Sequence, residues 1–100
     1  MAAIDRSHLQ QLLGQERTRF AETHPRSAAE HERGRASLFG GVPMTWMNKA
    51  AGGFPLYLET ASGASVRDID GLDYVDFALG DTGAMAGHSP APTVDAVRDQ

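Results

Sequence analysis

The chain has 100 residues, of which 41% are hydrophobic and 22% charged, and its net charge is −4 at pH 7. This composition is typical of one small soluble domain with a modest core, and the lack of a basic excess argues against nucleic-acid binding. Cysteine is absent, which excludes disulfides and thiolate chemistry, and no apolar run approaches the roughly 20 residues that span a bilayer, so we expect a cytoplasmic protein.

Helical periodicity dominates the start of the chain. Apolar residues recur at about helical spacing, which predicts a helix from Asp5 to Phe20 with one narrow apolar stripe. These residues are Ile4, Leu9, Leu12, Leu13 and Phe20. The residues before about Leu9 are equally consistent with a frayed terminus.

A second helix is predicted after His24-Pro25, since proline disfavours helix in the residue before it. Ser27 and Glu30 have the spacing of a capping box, and the helix would continue toward Leu38, although Gly34 counts against its full length. The two helices have too little apolar surface for a core of their own. We therefore expect residues 1–39 to form a helical arm that packs on another surface.

A glycine and proline cluster, Gly40-Gly41-Val42-Pro43, marks the start of a second region, residues 40–88. Met44, Trp46 and Met47 follow it. A loop that buries its apolar side chains is the default interpretation of this group. The alternative is a hydrophobic wall of a small-molecule pocket, and spacing alone does not decide between the two.

The middle of the chain predicts a three-stranded antiparallel meander. Apolar residues alternate from Phe54 to Glu59, the period of a half-buried strand, and Ser62-Gly63 is a turn signal. A second strand covers residues 64–68, Asp70-Gly71 is a hairpin turn, and a third strand carries Tyr74, Val75 and Phe77.

Small residues fill the stretch from Ala78 to Gly87, where the backbone can approach a ligand closely. Ser89 is then predicted to cap a helix over residues 89–100. This helix has not ended at Gln100, so we expect the chain to be the front of a longer protein.

Residues with catalytic or metal-binding chemistry give no self-contained site. Asp68-Ile69-Asp70-Gly71 suggests a calcium loop, but neither register supplies the required glycine and twelfth-position Glu, so we expect a solvated hairpin whose aspartates bond turn amides. The four histidines show no paired metal spacing. His88, between a loop and a helix start, is better explained as a hydrogen-bonded structural residue than as an active-site group. No catalytic residue and no metal ligand is predicted.

An ordered series of short motifs nevertheless resembles a known family. The series consists of Gly40-Gly41-Val42, Pro55-Leu56-Tyr57, Gly63-Ala64, Val66-Arg67-Asp68-Ile69-Asp70-Gly71, Tyr74-Val75-Asp76-Phe77 and Gly87-His88. It is similar to the N-terminal part of class III aminotransferases, in the branch of glutamate-1-semialdehyde aminomutases and β-amino-acid aminotransferases. The match covers about residues 38–98, and its order and spacing carry more weight than any single motif.

The resemblance implies an α/β protein of fold type I that uses pyridoxal 5'-phosphate and forms a homodimer. This segment would be α+β: the arm, the meander of the small domain, and the start of a helix leading into a large domain. The lysine that binds the cofactor covalently, the aspartate at its ring nitrogen and its phosphate-binding loop lie downstream in the family. Lys49, the chain's one lysine, is at no matching position, so the segment alone should be inactive and its cofactor-binding residues remain unknown.

The resemblance also implies which residues border the substrate: Met44, Trp46 and Met47 in one loop, and Asp81 and Thr82 in another. Relatives that bind an amino-acid carboxylate here typically have an arginine shortly after Gly-Gly-Val, and this chain has none there. Either the carboxylate is bound elsewhere or the pocket prefers an apolar group or an amine. Asp81 would disfavour an anionic substrate.

The sequence therefore predicts an aminotransferase that moves an amino group between an amino acid or amine and a keto acid, aldehyde or ketone. An aminomutase of the glutamate-1-semialdehyde type is the first alternative. The second is a small non-enzymatic interaction module that binds a partner through the apolar patch around Trp46.

Overall fold

The computed structural model describes residues 4–100. Two compact units follow one another along the chain, one up to Leu56 and the other from Tyr57 onwards. The first unit is helical and the second contains a small sheet and one helix. No described helix is long and apolar enough to cross a membrane.

The first unit begins with two helices, α1 (Arg6–Thr23) and α2 (Pro25–Gly34). Asp5 caps α1, because its Oδ1 accepts hydrogen bonds from the amides of Ser7 at 3.0 Å and His8 at 3.1 Å. The helix predicted from Asp5 is confirmed. Residues 6–8, for which a frayed terminus was the alternative, are helical. Residues 1–3 lie outside the described residues.

The predicted start and end of α2 are wrong. Pro25 occupies the first turn, where its missing amide hydrogen is tolerated, and His24 is the cap residue. Ser27 lies inside the helix and is fully buried, so it is not a capping residue. The helix ends at Gly34 rather than near Leu38, and hydrogen-bonded turns cover residues 35–38.

Aromatic stacking packs the junction between the two helices. His24 is 6% exposed, its Nδ1 lies 2.7 Å from the carbonyl oxygen of Phe20, and its ring stacks on the Phe20 ring at 4.2 Å. The Phe54 ring also contacts the Phe20 ring, in a tilted arrangement with the centroids 4.9 Å apart. A side chain at Gly52 would overlap the Phe20 ring, so this packing requires glycine there.

Two short 3-10 turns complete this unit, Phe39–Gly41 and Thr45–Lys49. Gly40 and Gly41 both have left-handed backbone, with φ of 67° and 78°. A Cβ at Gly41 would come within 2.9 Å of the His31 carbonyl oxygen, so the glycine allows the turn to lie against the end of α2. Val42, 3% exposed, is buried directly afterwards.

The second unit contains the predicted antiparallel meander, with strand order β1-β2-β3. The strands are β1 (Leu58–Ser62), β2 (Ser65–Asp68) and β3 (Asp73–Val75). The turn at Ser62-Gly63 is confirmed, since Ser62 pairs with Ser65. The first strand was predicted to begin at Phe54, but it begins at Leu58. The third strand was predicted to include Phe77, but it ends at Val75.

The hairpin between β2 and β3 turns at Asp70-Gly71 as predicted, with Gly71 at φ 90°. Asp68 holds it closed: its Oδ1 accepts from the Leu72 amide at 2.9 Å and its Oδ2 from the Tyr74 hydroxyl at 2.7 Å. The carboxylate bonds a turn amide, as predicted, but it is fully buried rather than solvated. Burying a carboxylate costs free energy unless hydrogen bonds compensate it, and the Leu72 amide and the Tyr74 hydroxyl provide such bonds.

The last helix, α3, covers Ala91–Arg98, so the prediction that it has not ended at Gln100 is wrong. Its N-terminal cap residue is Pro90 rather than Ser89. The Ser89 hydroxyl instead donates to the Ala61 carbonyl oxygen at 2.8 Å. Ser89 therefore ties the start of α3 to β1 and does not cap the helix.

Candidate functional site

The glycine-rich loop of the second unit, residues 76–88, starts one residue after β3 and ends three residues before α3. Asp76 organises its beginning, because Oδ1 accepts from the amides of Ala78 at 2.9 Å and Leu79 at 2.8 Å. Local backbone hydrogen bonds then fold the loop on itself, including Ala84 to the Leu79 carbonyl at 2.9 Å. Asp81 and Thr82, two of the predicted substrate-binding residues, are exposed on it.

The two ends of this loop are joined by a side-chain contact. Asp76 Oδ2 lies 2.7 Å from Nε2 of His88, and each side chain is 20% exposed. The His88 ring, together with the Leu79 and Ala78 amides, lowers the pKa of Asp76 below its ordinary value. An ionised carboxylate only accepts hydrogen bonds, so Nε2 of His88 carries the proton in this contact.

The loop also contains a turn of consecutive left-handed residues, Leu79, Gly80 and Asp81, with φ of 50°, 63° and 59°. Glycine adopts this region freely, whereas leucine and aspartate do so against a steric penalty of about 1–2 kcal/mol each. The surrounding hydrogen bonds must hold this conformation.

The other predicted pocket residues lie in the first unit, in and beside the 3-10 turn Thr45–Lys49. Met44 is 50% exposed, Trp46 61%, and Met47 half-buried. Met44 and Trp46 are therefore exposed and Met47 is only half-buried, so the default interpretation of a loop that buries these side chains is wrong. The structure thus places the predicted residues in two loops, one in each unit.

The sequence did not predict the side-chain pairs of the second unit, and two of these pairs concern the sheet and the glycine-rich loop. One is Asp76 with His88; the other is Arg67 with Asp73, a bidentate ion pair of 2.7 and 2.8 Å that lowers the pKa of Asp73 and raises that of Arg67. The second follows from the hairpin once its register is known, because Arg67 and Asp73 lie opposite each other in β2 and β3. The first joins residues separated by the whole loop, and no spacing rule signals it.

The described residues give little that could hold a metal or a cofactor. Residues 4–100 contain no group of three or more metal-ligating side chains. Lys49, the one lysine, is exposed at the end of its 3-10 turn. Neither loop provides the charged cradle that a phosphorylated cofactor requires.

Comparisons with known proteins give clear matches, although no protein-family model matches the chain. The glutamate-1-semialdehyde 2,1-aminomutase of Sorangium cellulosum is 37% identical over 81 residues, which is 79% of this chain and 18% of that protein. A crystal structure of a glutamate-1-semialdehyde-aminomutase from Pseudomonas aeruginosa, in complex with PMP, has a TM-score of 0.89 and 43% identity over 99% of this chain and 22% of its own.

A β-phenylalanine aminotransferase from Variovorax paradoxus is also similar, with a TM-score of 0.81 and 30% identity over 90% of this chain and 20% of its own. The chain thus spans about a fifth of the length of the relatives that it matches.

Proposed function

Because the chain belongs to the class III pyridoxal-phosphate-dependent aminotransferases, proteins of fold type I, we propose that its parent protein is an aminotransferase. The parent protein means the longer polypeptide to which this proposal assigns the chain. It would move an amino group between a small amino acid or amine and a keto acid, aldehyde or ketone. The observation that carries the proposal is the 43% identical structural match over 99% of the chain, at a TM-score of 0.89.

Pyridoxal 5'-phosphate is the proposed cofactor, and it supplies the electron sink that aminotransfer needs. The described residues do not fit it by themselves, since Lys49 is exposed and the loops lack a phosphate cradle. We therefore assign the cofactor site to other parts of the parent protein. The contribution of this chain is to border the substrate.

We assign the substrate border to Met44, Trp46 and Met47 as an apolar wall and to Asp81 and Thr82 as a polar rim. Met44, Trp46, Asp81 and Thr82 are exposed and Met47 is half-buried, which supports the assignment. The apolar loop has no arginine to pair with a carboxylate, and Asp81 adds a negative charge at the rim. This combination favours a neutral or cationic amine over a dicarboxylate.

An aminomutase of the glutamate-1-semialdehyde type is the second candidate, since relatives with that name are 37% and 43% identical to the chain. No arginine closely follows Gly40-Gly41-Val42 to bind a substrate carboxylate, and this favours the aminotransferase over the aminomutase. The proposal further includes a cytoplasmic homodimer in which residues 1–39 form an arm, residues 40–88 belong to the small domain and residues 89–100 lead into the large domain.

Absorption of the purified parent protein tests the proposed function. It should carry a visible band of bound pyridoxal phosphate that borohydride reduction removes, and an amino donor should convert the cofactor to its amine form. Release of a keto product without internal amino transfer would identify an aminotransferase. A protein that stays colourless with added pyridoxal phosphate would exclude both candidates.

Replacing Asp81 by Asn tests the substrate preference. Removing one negative charge near the amino donor should shift the kcat/KM ratio of anionic to neutral donors upward by about fivefold, the equivalent of roughly 1 kcal/mol between two charges in water. Asp95→Asn, the same change on α3, is the matched control. If Asp81→Asn leaves the ratio unchanged, Asp81 does not border the substrate.

A further inference from the structure

The glycine-rich loop is tied to the sheet by its backbone at both ends. The Asp76 amide donates to the Ala64 carbonyl oxygen at 2.7 Å, and His88 and Gly63 exchange two backbone hydrogen bonds of 2.8 and 2.9 Å. Gly87, at φ 87°, makes this approach possible, because a Cβ there would lie 3.1 Å from the Gly63 Cα. These bonds need no side chain, so they position the loop ends whatever residue stands at position 88.

The side chains of Asp76 and His88 form a second connection between the loop ends. Through the Asp76 carboxylate, this connection also reaches the backbone within the loop. One carboxylate oxygen of Asp76 holds the Leu79 amide, and the other is held by the His88 ring. Leu79 is also the first residue of the left-handed turn that ends at Asp81. The His88 ring therefore orients the carboxylate that fixes the start of the strained turn.

We propose that Asp76 and His88 are positioning residues for substrate binding: their contact maintains the left-handed turn at Leu79–Asp81 and so presents Asp81 and Thr82 to the substrate. This inference rests on the proposed function, in which these two residues border the substrate. Without the contact, Leu79 would relax toward the more favourable right-handed or extended backbone. Asp81 would then leave its position, while the sheet would stay intact.

Three variants of the parent protein test the proposal. His88→Ala removes the ring, and His88→Gln restores a donor that reaches the Asp76 carboxylate through its side-chain amide. Arg67→Ala is the matched control, since it breaks a side-chain pair between β2 and β3 that includes no residue of the loop.

Two readouts separate positioning from general stability. Amide hydrogen exchange of residues 78–84 should accelerate in His88→Ala while that of β2 stays unchanged. The KM for the amino donor should rise about threefold to tenfold, the factor expected from losing one hydrogen bond, with kcat and bound cofactor nearly unchanged. His88→Gln should restore both values, and Arg67→Ala should alter neither.

Unchanged loop exchange in His88→Ala would overturn the proposal. So would faster exchange across the whole sheet with a parallel loss of bound cofactor, because His88 would then only stabilise the fold. If the parent protein has no pyridoxal-phosphate chemistry, the proposed function fails and the substrate-binding role fails with it. The exchange measurement would still decide separately whether the contact holds the turn.

Discussion

Tyr74 and the buried carboxylate of Asp68 stabilise the β2–β3 hairpin through one hydrogen bond of 2.7 Å. Burial of the phenol, followed by its hydrogen bond to Asp68 and the nearby charges of Asp68 and Asp70, raises the pKa of Tyr74 from 10.0 to about 12. Ionising Tyr74 would remove the donor and place two negative charges together. At the residue scale, this pair therefore makes the hairpin sensitive to alkaline pH.

Tyr74→Phe should lower the free energy of unfolding of the parent protein by about 1–3 kcal/mol, because it removes one partner of a buried carboxylate. The folded-state pKa is raised, so the contribution of Tyr74 is complete below pH 10 and is lost as pH rises toward 12. Urea unfolding at several pH values measures this: the gap between wild type and variant should narrow above pH 10. Equal stabilities at pH 7 would contradict the assignment.

At the element scale, glycines have opposite roles in α1 and in the loop before α3. Gly14 lies inside α1, and a Cβ there would meet nothing within 4 Å. Gly87 has φ 87° and would bring a Cβ to 3.1 Å from Gly63. The first glycine only weakens its helix, whereas the second is required by backbone conformation and close approach.

Gly14→Ala should therefore raise the stability of the parent protein by roughly 0.5–1 kcal/mol, since alanine loses less backbone entropy in a helix. Gly87→Ala should lower it by about 1–2 kcal/mol through the left-handed backbone alone. Thermal unfolding of the two variants beside wild type provides the comparison. A Gly87→Ala variant as stable as wild type would show that the backbone around Gly87 relaxes without penalty, and a destabilised Gly14→Ala variant would contradict the role given to Gly14.

At the scale of the whole molecule, the described residues bury few apolar side chains. Val42 and Val66 are the buried hydrophobic residues, while Phe77, Phe39 and Met85 are 94%, 85% and 78% exposed. Monomeric proteins rarely expose large apolar patches, and patches that are exposed mark interaction surfaces. A buried core this small supports the proposal that the chain functions within a larger protein.

Local sequence signals predicted the type and order of most elements, and the family relationship. Helical periodicity predicted α1, the signals at Ser62-Gly63 and Asp70-Gly71 predicted the meander, and the ordered motifs from Gly40 to His88 predicted the aminotransferase relationship that the comparisons confirmed. Each of these depends on residues close together in the chain, whose preferences are local.

Polar contacts between residues distant in sequence, and the burial of single polar side chains, are visible only in the folded chain. Ser27 and Ser89 have the chemistry of caps, yet one is buried inside α2 and the other bonds β1, because packing and long-range partners override a local preference. The contact of Asp76 with His88 depends on a loop that closes through left-handed residues. The left-handed backbone of this loop depends on contacts between residues distant in sequence. Only the folded chain therefore shows that the glycine-rich loop contains a left-handed turn at Leu79–Asp81.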